Sequence, residues 1–177
     1  MKFDSQKHHR RSIRLNDHDY AQPGGYFVTI VTYHRNMLFG EIVNEEMQLS
    51  EFGKIADECW RAIPKHFSNV ELSAHVIMPN HAHGIIVITD GRGTIYRAPT
   101  QEQFQKPVMG SIPTIIRTYK AAVTRRIGRE HNVTGIWQRN YYEHIIRNHE
   151  DWDRIHRYIE SNPSMWVEDE ENPMKHA

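Results

Sequence analysis

The order of elements in the sequence predicts an α+β fold. It is a ferredoxin-like β-α-β-β-α-β unit, an antiparallel sheet with helices on one face, followed by one more helix at the C-terminal end. Three observations carry this. Residues 26–33 are a short run rich in β-branched and aromatic residues, the composition of a strand, and 70–78, 81–89 and 141–147 read as strands beside it. Three stretches with apolar residues at helical spacing are interleaved with them. The length, 177 residues, suits a single domain with a real core.

Each element follows from its own residues. Residues 1–24 form a basic arm that ends in the turn signal Gln22-Pro23-Gly24-Gly25. Residues 26–33 (YFVTIVTY) predict the first strand. In 50–63, Phe52, Ile55, Ala56, Cys59, Trp60 and Ile63 recur at i, i+3, i+4, i+7, i+8 and i+11, one face of a helix with Ser50 as N-cap and Pro64 near its end. Residues 70–78 and 81–89 are two strands joined by the turn Pro79-Asn80. Residues 90–110 are polar, interrupted by Gly and Pro, and predict a surface loop. A second helix starts near Ile112, buries Ile115, Ile116, Tyr119, Val123 and Ile127, and is closed by Gly128. After the strand at 141–147, a third helix starts near Asp151, carries Trp152, Ile155 and Ile159, and ends around Asn162 because Pro163 disfavours helix at the residue before it. Residues 167–177 are an acidic tail expected to fray. With all helices on one side, the other face of the sheet would be free for a substrate.

Composition narrows the class. Hydrophobic residues make up 38%, charged residues 25% and aromatics 10%, which excludes a disordered chain. No apolar run approaches the ~18–20 residues of a membrane span, residues 1–11 lack a signal peptide's apolar stretch, and the single Cys59 cannot form an internal disulfide. The expected location is the cytoplasm.

The formal charge is zero, 22 Lys+Arg against 22 Asp+Glu, but its distribution is uneven. Residues 106–147 carry Lys106, Arg117, Lys120, Arg125, Arg126, Arg129, Arg139 and Arg147 against only Glu130 and Glu143. The N-terminal arm adds Lys2, Lys7, Arg10, Arg11 and Arg14. The two segments form one phosphate-binding surface if the fold brings them together, and otherwise are ordinary solvated charge.

Three constellations could carry chemistry. With 13 His in the chain, an H-x-H pair arises by chance about once; on a strand, however, His81 and His83 share one face and can converge on a metal ion. Two satisfied or surface histidines are the alternative. Tyr158 and Asn162 are one helical turn apart, so a hydroxyl and an amide oxygen project together. The amide would complete a nitrogen and oxygen ligand set suited to Mg²⁺ or Mn²⁺; a core tyrosine and a C-cap are the alternative. In residues 135–144 (GIWQRNYYEH), aromatics beside Arg139 and Arg147 suit stacking on unpaired bases and contacts to phosphate, or simply cover the core edge. Alternation puts Tyr141 and Tyr142 on opposite faces, so only one of them can face a substrate. No Gly-rich phosphate loop with a following Lys, no paired cysteines for zinc and no G-x-S-x-G elbow is present.

Four ordered blocks together resemble the REP-associated tyrosine transposases, a branch of the single-tyrosine HUH transposases. They are HRRSIRLNDHDYAQPGGYFVTIVTYHRNMLFGEI, AHVIMPNHAHGIIVI, GIWQRNYYEHIIRN and RIHRYIESNP, and the likeness runs nearly end to end. The resemblance implies one HUH domain over residues 1–177, with Tyr158 as nucleophile and His81, His83 and Asn162 holding Mg²⁺ or Mn²⁺. It also implies a substrate of single-stranded DNA hairpins beside a short recognition sequence, cleaved and rejoined through a 5′-phosphotyrosine. Arg10, Arg11, Arg14, Arg125, Arg126, Arg139 and Arg147 are the expected backbone contacts. A monomer with Tyr158 acting in its own subunit is favoured over a dimer. The sequence departs from the family at Ala82, which is smaller than the usual apolar residue, and at Asn162-Pro163-Ser164-Met165-Trp166, where the family often reads NPVKHG. Tyrosine ionises near 10, so its attack needs help from the ion or a base; His144, His149 and His156 are open candidates. The same residues also allow two rival readings, a water-activating metal phosphoesterase and a catalytically inactive hairpin-binding protein.

Overall fold

The computed structural model describes residues 19–90 and 108–176. Arg10, Arg11, Arg14, Lys106 and most of the loop expected at 90–110 lie outside them.

β1 (Gly24–Val31) is the centre of a four-stranded antiparallel sheet with β4 (Val70–Met78), β5 (His81–Ile88) and β6 (Tyr142–Ile146), in the order β4-β5-β1-β6. That order is the ferredoxin-like one, so the predicted fold class holds. Period-two alternation sorts the side chains into two layers. Tyr26, Val28 and Ile30 of β1 and Ala82, Ile86 and Ile88 of β5 face the main core, closed by α1 (Glu51–Arg61) and α3 (Ile112–His131). Phe27 of β1 and Ile85 of β5 point the other way and meet Ile155 and Ile159 of α4 (His149–Ser161). The face expected to be free is therefore partly roofed by the tyrosine helix. Gly25 makes room for this roof, since a Cβ there would lie 3.0 Å from the Trp152 ring.

Local chemistry explains the element ends. Ser50 caps α1 as expected, its hydroxyl accepting from the Gly53 N–H. Pro64 does not stop the chain; it sits in the first turn of the short α2 (Ile63–His66), where a missing N–H costs nothing. Gly128 does not close α3. The helix runs to His131, and Asn132 caps it in the left-handed region at φ 55°, its N–H donating to the Gly128 carbonyl. The chain also forms a hairpin beyond the predicted elements, β2 (Gly40–Val43) and β3 (Glu46–Leu49), turned by Asn44 and Glu45 at φ 51° and 64°. Residues 167–176 are not frayed. They fold through two 3-10 turns, Trp166–Glu168 and Pro173–His176, and Asp169 and Asn172 are buried.

Candidate metal and tyrosine site

β5 begins immediately after Pro79-Asn80, and its register opposite β1 pairs His81 with Val31 and His83 with Thr29. Both rings therefore leave the sheet on the α4 side, with centroids 4.3 Å apart. His81 is fully buried and His83 nearly so. Burial pushes the His81 imidazole down to about 4 against the partial counter-effect of Asp169 and Asn162, and it pushes His83 well below the usual histidine range. Both rings are thus neutral near pH 7, the form that ligates metal. Each is held at Nδ1: His81 by Asn80 Oδ1 at 2.8 Å and His83 by the Thr29 hydroxyl at 2.9 Å.

α4 delivers Tyr158 and Asn162 one turn apart, as the i, i+4 spacing predicts. The Tyr158 hydroxyl lies 3.2 Å from His83 Nε2, and its ring meets Phe27 edge-on. The side chain is still 43% exposed, so a substrate can reach it. Asn162 is both the C-cap of α4 and a member of the site; its Nδ2 donates to Asp169 Oδ2 at 2.8 Å.

Asp169 is the residue that sequence reasoning missed. It lies inside an acidic run that looks like solvated tail, and its placement depends on the chain folding back across the sheet, which no local pattern signals. Its carboxylate accepts from Tyr158 (3.4 Å), Asn162 and the Glu171 N–H (2.7 Å). Ligand atoms of His81, His83 and Asp169 all lie within 4.8 Å of one another. Two buried polar atoms here, His81 Nε2 and Asn162 Oδ1, have no hydrogen-bond partner among the described residues. An unpartnered buried acceptor is costly, and two of them beside a carboxylate fit a divalent cation. The mixed nitrogen and oxygen donors suit a metal that takes imidazole and carboxylate together.

The phenol of Tyr158 is pushed well above the usual tyrosine range, first by burial and then by the Asp169 charge. It is the protonated donor at neutral pH. None of the three histidines considered as its base bonds to it. His144 pairs with Asp151 at 2.7 Å, His149 faces Asp153 and His156 faces Glu160. Among the described residues, His83 and Asp169 both lie within hydrogen-bonding distance of the phenol oxygen.

The expected arginines separate. Arg125 and Arg139 are exposed and line one cleft of about 540 Å³ with Lys120 and Trp137. Lys120 stiffens its wall, donating to the carbonyls of Gln138, Arg139 and Asn140. The segment reaches the metal end of the sheet through the Gln138 N–H, which donates to Val31 O, and Val31 is the residue paired with His81. Arg126 is instead tied to Glu58 at 2.8 Å. Arg147 follows β6 beyond the Gly25–Ile146 pair, at the opposite end of β1 and about 20 Å from the histidines at ~3.3 Å per residue. Of the tandem tyrosines, Tyr141 packs on the main core, while Tyr142 is exposed on the α4 face with its ring centroid 6.4 Å from Phe27.

No protein-family model matches the chain. An uncharacterized protein of Haemophilus influenzae is 40% identical over 173 residues, an alignment that spans 96% of each chain. Among solved structures, a REP-associated tyrosine transposase bound to a REP hairpin superposes with a TM-score of 0.54 at 20% identity, covering 93% of this chain and 75% of that one. That likeness is one of fold. No helix among the described residues is long and apolar enough to cross a membrane.

Proposed function

The chain belongs to one family with the Haemophilus influenzae protein, and from that premise and the geometry of the site we propose that it is a metal-dependent HUH-type transposase or endonuclease acting on single-stranded DNA. One observation carries the reading. A reachable tyrosine hydroxyl hydrogen-bonds a histidine of a buried pair whose ligand atoms converge with a carboxylate. A structural tyrosine has no need of such neighbours.

His81, His83 and Asp169, with the Asn162 amide oxygen, would hold the ion, and Mg²⁺ or Mn²⁺ suits their donors. When bound, the ion supplies Lewis-acid polarisation of the phosphodiester. The rest belongs to the chain. Phe27 and the α4 backbone hold the Tyr158 ring against the site. The Tyr158 hydroxyl has one proton and two acceptors in reach, His83 Nε2 and Asp169 Oδ2; with the proton turned to Asp169, His83 Nε2 would be free to serve as a ligand. The phenol oxygen attacks phosphorus in line, the P–O3′ bond breaks, and the 3′ oxygen takes up a proton. A 5′-phosphotyrosine and a free 3′-OH result, so the bond can be remade by a 3′-OH attacking in reverse. Because Tyr158 and the histidines come from one chain and already touch, the reading favours a monomer acting in cis.

The substrate proposed is a DNA hairpin with a short unpaired recognition sequence beside it. Arg125 and Arg139 would contact its backbone, together with Arg10, Arg11 and Arg14 of the N-terminal arm. The REP hairpin bound by the fold relative is consistent with this. The reading extends to membership of the REP-associated branch, to residues 1–177 as one HUH domain, and to action in the cytoplasm, where Cys59 would remain the buried free thiol it is here. Incubation with labelled single-stranded hairpin oligonucleotides and Mg²⁺ or Mn²⁺ tests the reading. Metal-dependent strand cleavage that is lost in Tyr158→Phe supports it. Cleavage that persists in Tyr158→Phe points to water as nucleophile, and tight binding without cleavage points to an inactive binding protein.

A further inference from the structure

Asn80 is fully buried, and its side-chain amide makes three contacts. Nδ2 donates to the Glu171 carbonyl at 2.7 Å and to the Arg35 carbonyl at 3.3 Å, and Oδ1 lies 2.8 Å from His81 Nδ1. The two carbonyls fix the amide's orientation, because a carbonyl oxygen only accepts and a flipped amide would set oxygen against oxygen twice. Oδ1 must then face His81. It too only accepts, so the Nδ1 it meets must carry the ring proton. In the neutral ring this leaves Nε2 as a bare lone pair. Nε2 of His81 is the buried nitrogen that has no partner among the described residues, and His81 is one of the three residues, with His83 and Asp169, whose ligand atoms cluster.

The other side of the amide reaches the same cluster by a second route. Glu171, whose carbonyl is held by Asn80, donates its own N–H to Asp169 Oδ1 at 2.7 Å. Its carboxylate is also paired with Arg35 at 2.8 Å. The turn that offers the Arg35 carbonyl is a strained one, with His34 and Arg35 both in the left-handed region at φ 54° and 55°. One buried amide therefore ties together the histidine strand, this turn and the segment that carries Asp169.

We propose that Asn80 is a positioning residue for the metal centre: it fixes the His81 tautomer that leaves Nε2 unprotonated and able to ligate, and it anchors the backbone that carries Asp169. The part concerning the ion rests on the function proposed above. The tautomer is a property of the metal-free protein and does not.

The test uses the full ¹⁵N-labelled chain. Long-range ¹H–¹⁵N spectra of the imidazoles, with His81 identified by its absence in His81→Gln, report which ring nitrogen is protonated. Mn²⁺ affinity is measured by calorimetry on the same samples. The wild type is expected to show His81 protonated at Nδ1 only. Asn80→Ala should lose that signature and bind Mn²⁺ roughly 10–100-fold more weakly, the usual effect of removing the partner of a metal-bound histidine. Asn80→Asp keeps the acceptor and loses the donor. It should retain the His81 signature while the amides around Glu171 lose protection from hydrogen exchange, and it decides the matter if Asn80→Ala does not fold. An unchanged His81 signature with Mn²⁺ affinity within twofold in Asn80→Ala overturns the proposal, as does an Asn80→Asp variant in which the His81 signature is lost or the Glu171 protection is kept. A wild type that binds no Mn²⁺ but shows the tautomer contradicts the metal reading and leaves the role of Asn80 in orienting His81 standing.

Discussion

The Tyr158 hydroxyl on α4 hydrogen-bonds His83 Nε2 on β5 at 3.2 Å, although the two residues are 75 positions apart in the chain. The contact places the proposed nucleophile on the nitrogen that would ligate the ion, so the two uses of that nitrogen compete. Tyr158→Phe removes the competitor and, with it, the hydroxyl's contacts to His83 Nε2 and Asp169 Oδ2, on a side chain that is partly exposed. We expect a loss of about 1 kcal/mol, a Tm drop of roughly 2–4 °C for a chain of this size, and Mn²⁺ affinity equal to or above that of the wild type. Scanning calorimetry with and without Mn²⁺ checks all three, and weaker Mn²⁺ binding in the variant would count against the competition.

Asp169→Asn separates charge from shape. The Tyr158 phenol is raised by burial first and by Asp169 second. Removing the charge should therefore lower its titration point while leaving it above that of free tyrosine. Tyrosine ring ¹³C shifts followed against pH read this residue by residue. Losing an anionic ligand should also weaken Mn²⁺ binding roughly tenfold or more.

The histidine pair makes stability depend on pH. His81 is lowered from 6.5 to about 4, with burial the main cause, and His83 is lowered in the same direction. Between those values the unfolded chain binds more protons than the folded one, so stability is full above about 6.5 and falls as the pH drops toward 4. For His81 the loss amounts to a few kcal/mol across that window. Tm measured from pH 7.5 down to 5 should fall less in His81→Gln than in the wild type. Parallel curves for the two proteins would contradict the assignment.

Salt dependence distinguishes the arginines. If Arg125 and Arg139 each neutralise a phosphate, alanine at either should reduce the slope of log affinity against log salt by roughly 0.7–0.9 for hairpin DNA. Arg126, already paired with Glu58, should leave the slope nearly unchanged when replaced. Fluorescence anisotropy titrations at several salt concentrations read the slopes directly.

What was legible in the sequence was whatever local chemistry decides. The strand at 70–78 has the predicted limits because the turn residues Pro79-Asn80 end it at Met78. Ser50 caps α1 because its hydroxyl needs only the N–H three residues on. His81, His83, Tyr158 and Asn162 were found because period 2 and period 3.6 each bring two of them together, and the resemblance joined the pairs. The β2–β3 hairpin escaped notice because its strands are four residues each and its turn is Asn44-Glu45 rather than a glycine-bearing pair. Asp169 escaped because its burial depends on long-range contacts, Asn80 to Glu171 across 91 positions and Arg35 to Glu171 across 136. No window of sequence contains such contacts.

Tyr158 is the proposed nucleophile of a DNA strand transfer. The most direct measurement is mass spectrometry of the protein after reaction with a single-stranded hairpin oligonucleotide and Mn²⁺, quenched in denaturant, digested with nuclease and protease, and mapped by fragmentation. The expected product is a nucleotide 5′-phosphate attached to Tyr158, in the peptide that also contains Ile159, with no such species when metal is withheld. Cleaved DNA with an unmodified Tyr158, or an adduct on any other residue, would contradict it.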